Sequence, residues 1–164
     1  MWILCPFLIV TLVSVGPLQV QSQDPATFVR LHTEAGPGEP ALVIAFDPEH
    51  TQFRFTVTPA LDLRAVARAV ASPNRAVGGY DVAIEFTPEG RERFRRLTAG
   101  IIGQRLGVIV NGRLSLAPVV IRSALPGRFL LSYGILDEHQ AATLASEVNK
   151  HLRELHAADS ASHH

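Results

Sequence analysis

The chain has 164 residues, the usual length of one globular domain and too short for two independent cores. Its 15 basic and 15 acidic residues balance to zero net charge and are mixed along the chain, which disfavours a nucleic-acid-binding tail. Hydrophobic residues make up 47% and charged residues 18%, which excludes an intrinsically disordered chain. A single cysteine rules out an internal disulfide framework and a zinc site with several cysteine ligands.

Residues 1–22 are predicted to form a signal peptide. The apolar stretch over residues 3–15 has the length of a signal-peptide core and is shorter than the roughly 20 residues of a membrane-spanning helix. Val20-Gln21-Ser22 then resembles a cleavage site, so we expect a periplasmic or secreted protein that begins near Gln23. No Lys or Arg precedes the apolar stretch, which indicates a weak signal or a misplaced start codon. A buried N-terminal helix and an uncleaved anchor stay open as alternatives.

The following residues alternate predicted strands with loops. Apolar alternation and short apolar runs predict strands over 28–32, 42–46 and 53–57. Residues 47–50 have turn chemistry. A helix is predicted over 63–71, with Asp62 as its N-cap, because Leu63, Val66, Ala67 and Val70 follow helical spacing.

The strand-to-helix passage from residue 80 to residue 101 is the most informative stretch. Residues 80–86 alternate with period two, and Thr87-Pro88 then begins a helix with an N-cap and a first-turn proline. The predicted inward stripe of this helix is Phe94, Leu97, Thr98 and Ile101. Its outer face carries Arg91, Arg93, Arg95 and Arg96, interpreted as a solvated face with Glu89–Arg93 and Glu92–Arg96 pairs; an anionic-lipid or phosphate site is the alternative.

The C-terminal part is predicted to contain a hairpin, a strand and a long helix. Asn111-Gly112 joins strands over 106–110 and 114–121, and Pro118 marks an edge position or a bulge. A strand over 128–133 follows. Asp137 and Gln140 resemble a capping box at the start of a helix over 138–156.

These elements predict an α+β fold, a mixed, mainly antiparallel sheet with three helices packed on one face. The expected organisation is a signal peptide over 1–22, N-terminal strands and a loop over 23–52, an α+β domain over 53–156 and a disordered tail over 157–164.

The order of motifs resembles the head subdomain of the first periplasmic domain of the SecD family. The resemblance spans roughly residues 53–152. It is carried by the strand-to-helix passage over 82–90, Gly103 to Gly107, the Asn111-Gly112 hairpin, Ala117-Pro118 and the segment 140–145. Each of these residues also has a structural explanation, so the resemblance implies a fold and identifies no chemical site.

The resemblance implies a non-enzymatic, extracytoplasmic module that binds polypeptide or a membrane-protein partner in connection with protein export. SecD proteins continue into several transmembrane helices. No stretch of this sequence has the length and apolar character of one, so we expect a binding module without a membrane span once the signal is removed. The alternative is an extracytoplasmic sensor or accessory domain unrelated to export; an enzyme is a more distant third.

The sequence contains none of the common motifs for metal hydrolysis, phosphate binding or serine nucleophiles. Asp81 and Glu85 are too far apart on one strand to act as a carboxylate pair. The seven histidines are dispersed, with His163 and His164 at the end of the tail. No catalytic, cofactor-binding or metal-binding residue is therefore predicted, and no nucleic-acid partner is expected.

Overall fold

The structure is a computed structural model that describes residues 24–46, 51–118, 120 and 128–162. The predicted signal peptide and the turn over 47–50 lie outside the described residues. Two short 3-10 turns, Pro25–Thr27 and Leu63–Ala65, accompany the following elements: β1 (Val29–Thr33), β2 (Ala41–Phe46), β3 (Thr51–Thr56), β4 (Leu61–Asp62), β5 (Val66–Pro73), β6 (Tyr80–Phe86), α1 (Pro88–Gly100), β7 (Leu106–Val110), β8 (Arg113–Leu116), β9 (Arg128–Leu136) and α2 (Glu138–Ala161).

The fold is α+β, as predicted, but its strands form three sheets among the described residues instead of one. We call these the β1 sheet (β4-β1-β7-β8), the β6 sheet (β5-β6-β9) and the β2–β3 hairpin. All of their strand pairs are antiparallel, so the predicted mixture of orientations is wrong in the part of the chain that the structure describes. Strands from the predicted N-terminal segment, 23–52, pair directly with later ones, and β1 lies between β4 and β7.

The main hydrophobic core draws on the β1 sheet, the β6 sheet and both helices. Phe94 of α1 is fully buried, as predicted. Its ring stacks on Phe86 at a centroid distance of 4.7 Å and meets the edge of Phe129 at 5.4 Å. Helix α1 therefore packs on the face of the β6 sheet that carries these two rings.

The predicted helix over 63–71 is wrong, and two helices are present in the described chain where three were expected. Residues Leu63–Ala65 form a single 3-10 turn, which Asp62 caps, and β5 begins at Val66. The spacing of Leu63, Val66, Ala67 and Val70 does not mark one buried face: Leu63 belongs to the 3-10 turn, and Ala67 is exposed. Ala67 lies at a β-bulge, where the register with β6 shifts between Val66 and Arg68.

The other two helices begin where the sequence predicts. Thr87 caps α1 by accepting a 3.0 Å hydrogen bond from the Gly90 amide. Asp137 and Gln140 form the predicted capping box at the start of α2. Helix α2 continues to Ala161, beyond the predicted end at residue 156 and into the segment predicted to be disordered.

A second, smaller core lies between the β1 sheet and the β2–β3 hairpin. Phe55 of β3 is fully buried and its ring lies against Gly107 of β7, where an added Cβ would come within 2.6 Å of the ring. His32 of β1 is also fully buried, with its Nδ1 2.8 Å from the carbonyl oxygen of Thr56. These contacts hold the hairpin on the face of the β1 sheet that carries Gly107.

Candidate functional site

The β5 edge of the β6 sheet is closed by a side chain of α2. A strand edge can bind an extended peptide only where backbone N–H and C=O groups point outward without partners. At Ala69 both groups are taken: Asn149 Oδ1 accepts from the amide and Asn149 Nδ2 donates to the carbonyl, each at 2.9 Å. Every second residue of β5 directs its backbone groups outward, so Pro73, four positions after Ala69, also faces outward; as a proline it has no N–H donor. Ala71 is left between two blocked positions, so this edge offers too few outward backbone groups to hold a strand.

The edge predicted near Pro118 is also engaged. Strand β8 ends at Leu116, short of the predicted residue 121. The Pro118 carbonyl accepts a 3.0 Å hydrogen bond from the Leu106 amide. Ser115 Oγ donates to the carbonyl of Leu131, which brings the outer side of β8 against β9. The predicted edge is present, since β8 is the terminal strand of the β1 sheet, but the hydrogen bond to Leu131 sets its outer side against β9.

The outer edge of β3 is occupied by the segment that follows β1. The Ala35 amide donates to the Arg54 carbonyl at 3.0 Å, and a β-bridge joins Glu34 to Phe55. With the contact from His32 to the Thr56 carbonyl, these bonds cover the side of β3 that faces away from β2.

The outer edge of β2 has no paired strand in the described structure, where β3 is its one hydrogen-bonded strand neighbour. The Arg54 carbonyl points away from β2, and Arg54 is the register partner of Val43. In an antiparallel ladder both members of such a pair direct their backbone groups outward. By the same parity, Ala41 and Ala45 also present outward N–H and C=O groups. The Val43 side chain is 55% exposed.

A cleft of about 350 Å³ adjoins this edge. Ile44 and Ala45 contribute the β2 side, and Gly112, Arg113 and Leu114 contribute the β7–β8 turn. The turn has the backbone that Asn-Gly predicts, since Asn111 has φ of 47° and Gly112 has φ of 76°. The turn therefore fixes the position at which Arg113 begins β8.

Two of the four arginines on the outer face of α1 pair with Glu92 of the same helix. Arg95 donates two 2.9 Å hydrogen bonds to Glu92, whose carboxylate also lies 3.5 Å from Arg96 Nε. The bonds from Arg95 lower the pKa of the Glu92 carboxyl. Every residue of α1 is described, and the predicted Glu89–Arg93 pair is not formed; Arg93 instead donates to the Ala60 carbonyl at 3.4 Å.

The remaining polar groups that the sequence singles out are structural. Asp81 accepts a 3.0 Å hydrogen bond from Asn74, and Glu85 pairs with Arg68 at 2.6 Å. Within the described residues no cluster of three or more His, Cys, Asp or Glu side chains has the geometry of a metal site. His151 stacks on Phe28 at a centroid distance of 4.2 Å. His163 and His164 lie outside the described residues.

A sequence model of the family described as SecDF, P1 head subdomain, matches residues 41–150. The chain belongs to this family. The expected family resemblance is therefore confirmed, and the match begins at the first residue of β2.

No helix in the described ranges combines the length and the apolar character needed to traverse a bilayer.

Two curated relatives are similar to part of the P1 head. The protein translocase subunit SecD of Petrotoga mobilis is 35% identical over 80 residues, which is 49% of this chain and 17% of that protein. The protein translocase subunit SecDF of Thermus thermophilus is 37% identical over 68 residues, which is 42% of this chain and 9% of that protein. The matches thus span less than a fifth of the length of either relative.

Solved SecDF structures share the fold. A chain described in "Structure and function of a membrane component SecDF that enhances protein export" superposes with a TM-score of 0.57 at 22% identity, over 73% of this chain and 60% of that one. A second, described in "Crystal structure of SecDF in Super-membrane-facing form", gives a TM-score of 0.56 at 24% identity, over 73% of this chain and 18% of that one. At these identities the likeness concerns the fold.

Proposed function

We propose that this P1 head is a non-enzymatic, extracytoplasmic module that holds extended polypeptide on the outer edge of β2 in connection with protein export. The open edge of β2 carries this proposal. The family membership supports the link to export, and the curated relatives are named as translocase subunits. The membrane-protein partner that we propose for this module is a Sec-type translocase.

An edge strand suits a substrate whose sequence varies. The outward groups of Ala41, Val43 and Ala45 are backbone groups, which any extended chain can pair with regardless of its side chains. The two alanines and Val43 are small enough to leave the edge accessible. Binding of this kind is expected to be weak, micromolar or above, because the chain loses conformational freedom when it is held as a strand.

The proposal is tested by titrating the protein with a reduced, permanently unfolded polypeptide and comparing variants at Val43. Val43→Pro removes the central outward N–H and leaves the ladder to β3 intact, because that amide does not face β3. Val43→Ala keeps the N–H and shortens the side chain. We expect Val43→Pro to weaken binding about tenfold or more, since the proline also obstructs the strand that would add there, and Val43→Ala to change it less than about threefold.

One control on folding and two contrary outcomes decide how the titration is interpreted. The amide spectra of both variants must retain the dispersion of the wild type, so that a loss of binding is not a loss of fold. Binding that is unaffected by Val43→Pro would place the polypeptide elsewhere. An absence of binding near millimolar substrate would refute the polypeptide-holding function.

A further inference from the structure

We infer that Arg113 selects acidic side chains in the polypeptide bound at β2. This inference rests on the proposed function and adds a preference to an otherwise sequence-independent edge. Its basis is the cleft that separates β2, at Ile44 and Ala45, from the β7–β8 turn. Arg113 lines this cleft.

The hairpin geometry decides which side chains of a bound strand enter this cleft. Leu42 and Ile44 share one face of the hairpin with their register partners Phe55 and Phe53. Phe55 lies against Gly107, so this face is the one turned toward the β1 sheet. A strand added to β2 directs the residue opposite Ile44 to the same face. That residue therefore points toward the β7–β8 turn.

Arg113 is the one charged side chain in the described lining of the cleft. Among the described residues Arg113 is exposed without an acidic partner, and the described lining of the cleft contains no acidic side chain. The guanidinium presents several N–H donors in a plane, which match the two oxygens of a carboxylate. Ile44 and Leu114 add apolar surface beside it. A Glu or Asp opposite Ile44 would meet a cation there, and a Lys would meet repulsion.

Arg54 does not serve the same purpose. It lies on the opposite face of the hairpin, where its guanidinium donates a 3.0 Å hydrogen bond to the carbonyl of Glu39. Arg113 is consequently the cation that a side chain opposite Ile44 can reach within the described cleft.

The test uses three short unfolded peptides that are identical except for one central residue, which is Glu, Gln or Lys. Affinities are measured by fluorescence anisotropy with the wild type, with Arg113→Gln and with Arg75→Gln. Arg75 is a matched control because it is an exposed arginine in the loop between β5 and β6. Amide spectra check that each variant is folded.

We expect the wild type to bind the Glu peptide about two- to fivefold more tightly than the Gln peptide, the range of an exposed ion pair. Arg113→Gln should abolish that ratio and leave the affinity for the Gln peptide unchanged, while Arg75→Gln should alter neither. Raising the ionic strength from about 0.05 to about 0.3 M should reduce the ratio in the wild type.

Equal affinities for the Glu and Gln peptides in the wild type, or a ratio that survives Arg113→Gln, would overturn the selection by Arg113. Either result leaves the open edge of β2 intact as a peptide site. Failure of all three peptides to bind would instead refute the proposed function itself, and the selection with it.

Discussion

Asn149 of α2 and Ala69 of β5 are joined by two 2.9 Å hydrogen bonds that replace a missing neighbouring strand. The side-chain amide copies the donor and acceptor of a peptide group, so the outward backbone of Ala69 is satisfied without another strand. The same helix buries its apolar side in the main core. Closure of the β5 edge and packing of α2 are therefore one structural feature, and β2 has no counterpart of it in the described chain.

Loss of this closure should cost stability. Asn149→Ala leaves the N–H and C=O of Ala69 without partners, and we expect the free energy of unfolding to fall by about 1–3 kcal/mol. Asn149→Asp is the matched variant, because a carboxylate still accepts from the amide but sets a second acceptor oxygen against the carbonyl; its loss should be at least as large. Urea denaturation measures both. A loss below about 0.5 kcal/mol for Asn149→Ala would show that the two bonds contribute little.

Phe94 should be one of the most important side chains for stability. Its ring is fully buried between Phe86 and Phe129. Phe94→Ala should therefore lower the free energy of unfolding by about 3–5 kcal/mol. Val77→Ala serves as the control, since Val77 is 58% exposed and its truncation should change stability by less than about 0.5 kcal/mol. Chemical denaturation that gives similar values for the two variants would contradict this packing.

Gly107 and Phe55 should be energetically coupled. A Cβ at residue 107 would lie 2.6 Å from the Phe55 ring, so Gly107→Ala should destabilise the protein by about 1–3 kcal/mol through overpacking. In a Phe55→Ala background the clash is absent, and the same substitution should then be nearly neutral. A double-mutant cycle measures the difference. Additive losses would mean that the hairpin does not depend on this contact.

Stability should depend on pH through His32. Burial lowers the pKa of its imidazole, and the hydrogen bond to the Thr56 carbonyl opposes that effect without cancelling it. The unfolded chain therefore takes up a proton first as the pH falls below about 6.5. The folded state loses stability from there down to the folded pKa, with a slope of at most about 1.4 kcal/mol per pH unit. Above that window His32 contributes no pH dependence.

His32→Gln isolates this contribution, because the other titrating groups are common to both proteins. The difference in unfolding free energy between the wild type and the variant should shrink as the pH is lowered from about 7.5 to about 5, in the direction that disfavours the wild type. Urea titrations at several pH values provide the measurement. A difference that stays constant over this range would contradict neutral burial of His32.

The sequence predicts the elements whose signals are local. The Thr87 cap, the Asp137 capping box and the Asn111-Gly112 turn each depend on residues within a few positions, and all three are confirmed. The helix predicted over 63–71 fails because apolar spacing over a few residues does not distinguish a helix from a 3-10 turn followed by a bulged strand. Only pairing with β6, which is itself a non-local contact, distinguishes the two interpretations.

The candidate site could not be predicted from the sequence, for a related reason. Whether an edge is open depends on which chain segments lie beside it, and those contacts join distant residues: Asn149 to Ala69, Ser115 to Leu131, and Ala35 to Arg54. The sequence indicates an edge position or a bulge at Pro118 because proline cannot donate, and β8 is indeed the terminal strand of its sheet; the bond from Ser115 to Leu131 that engages its outer side is not readable from the strand itself. The strand pattern of β2 contains nothing that distinguishes an edge from a central position.

The central claim, that β2 receives the polypeptide, is tested most directly by amide-resolved hydrogen exchange with and without saturating unfolded substrate. If a chain adds to this edge, protection should rise at Val43 and Ala45, whose amides point outward, and change little at Leu42 and Ile44, which already face β3. Rising protection at Ala71 on the β5 edge or along α1, with Val43 and Ala45 unchanged, would contradict the account.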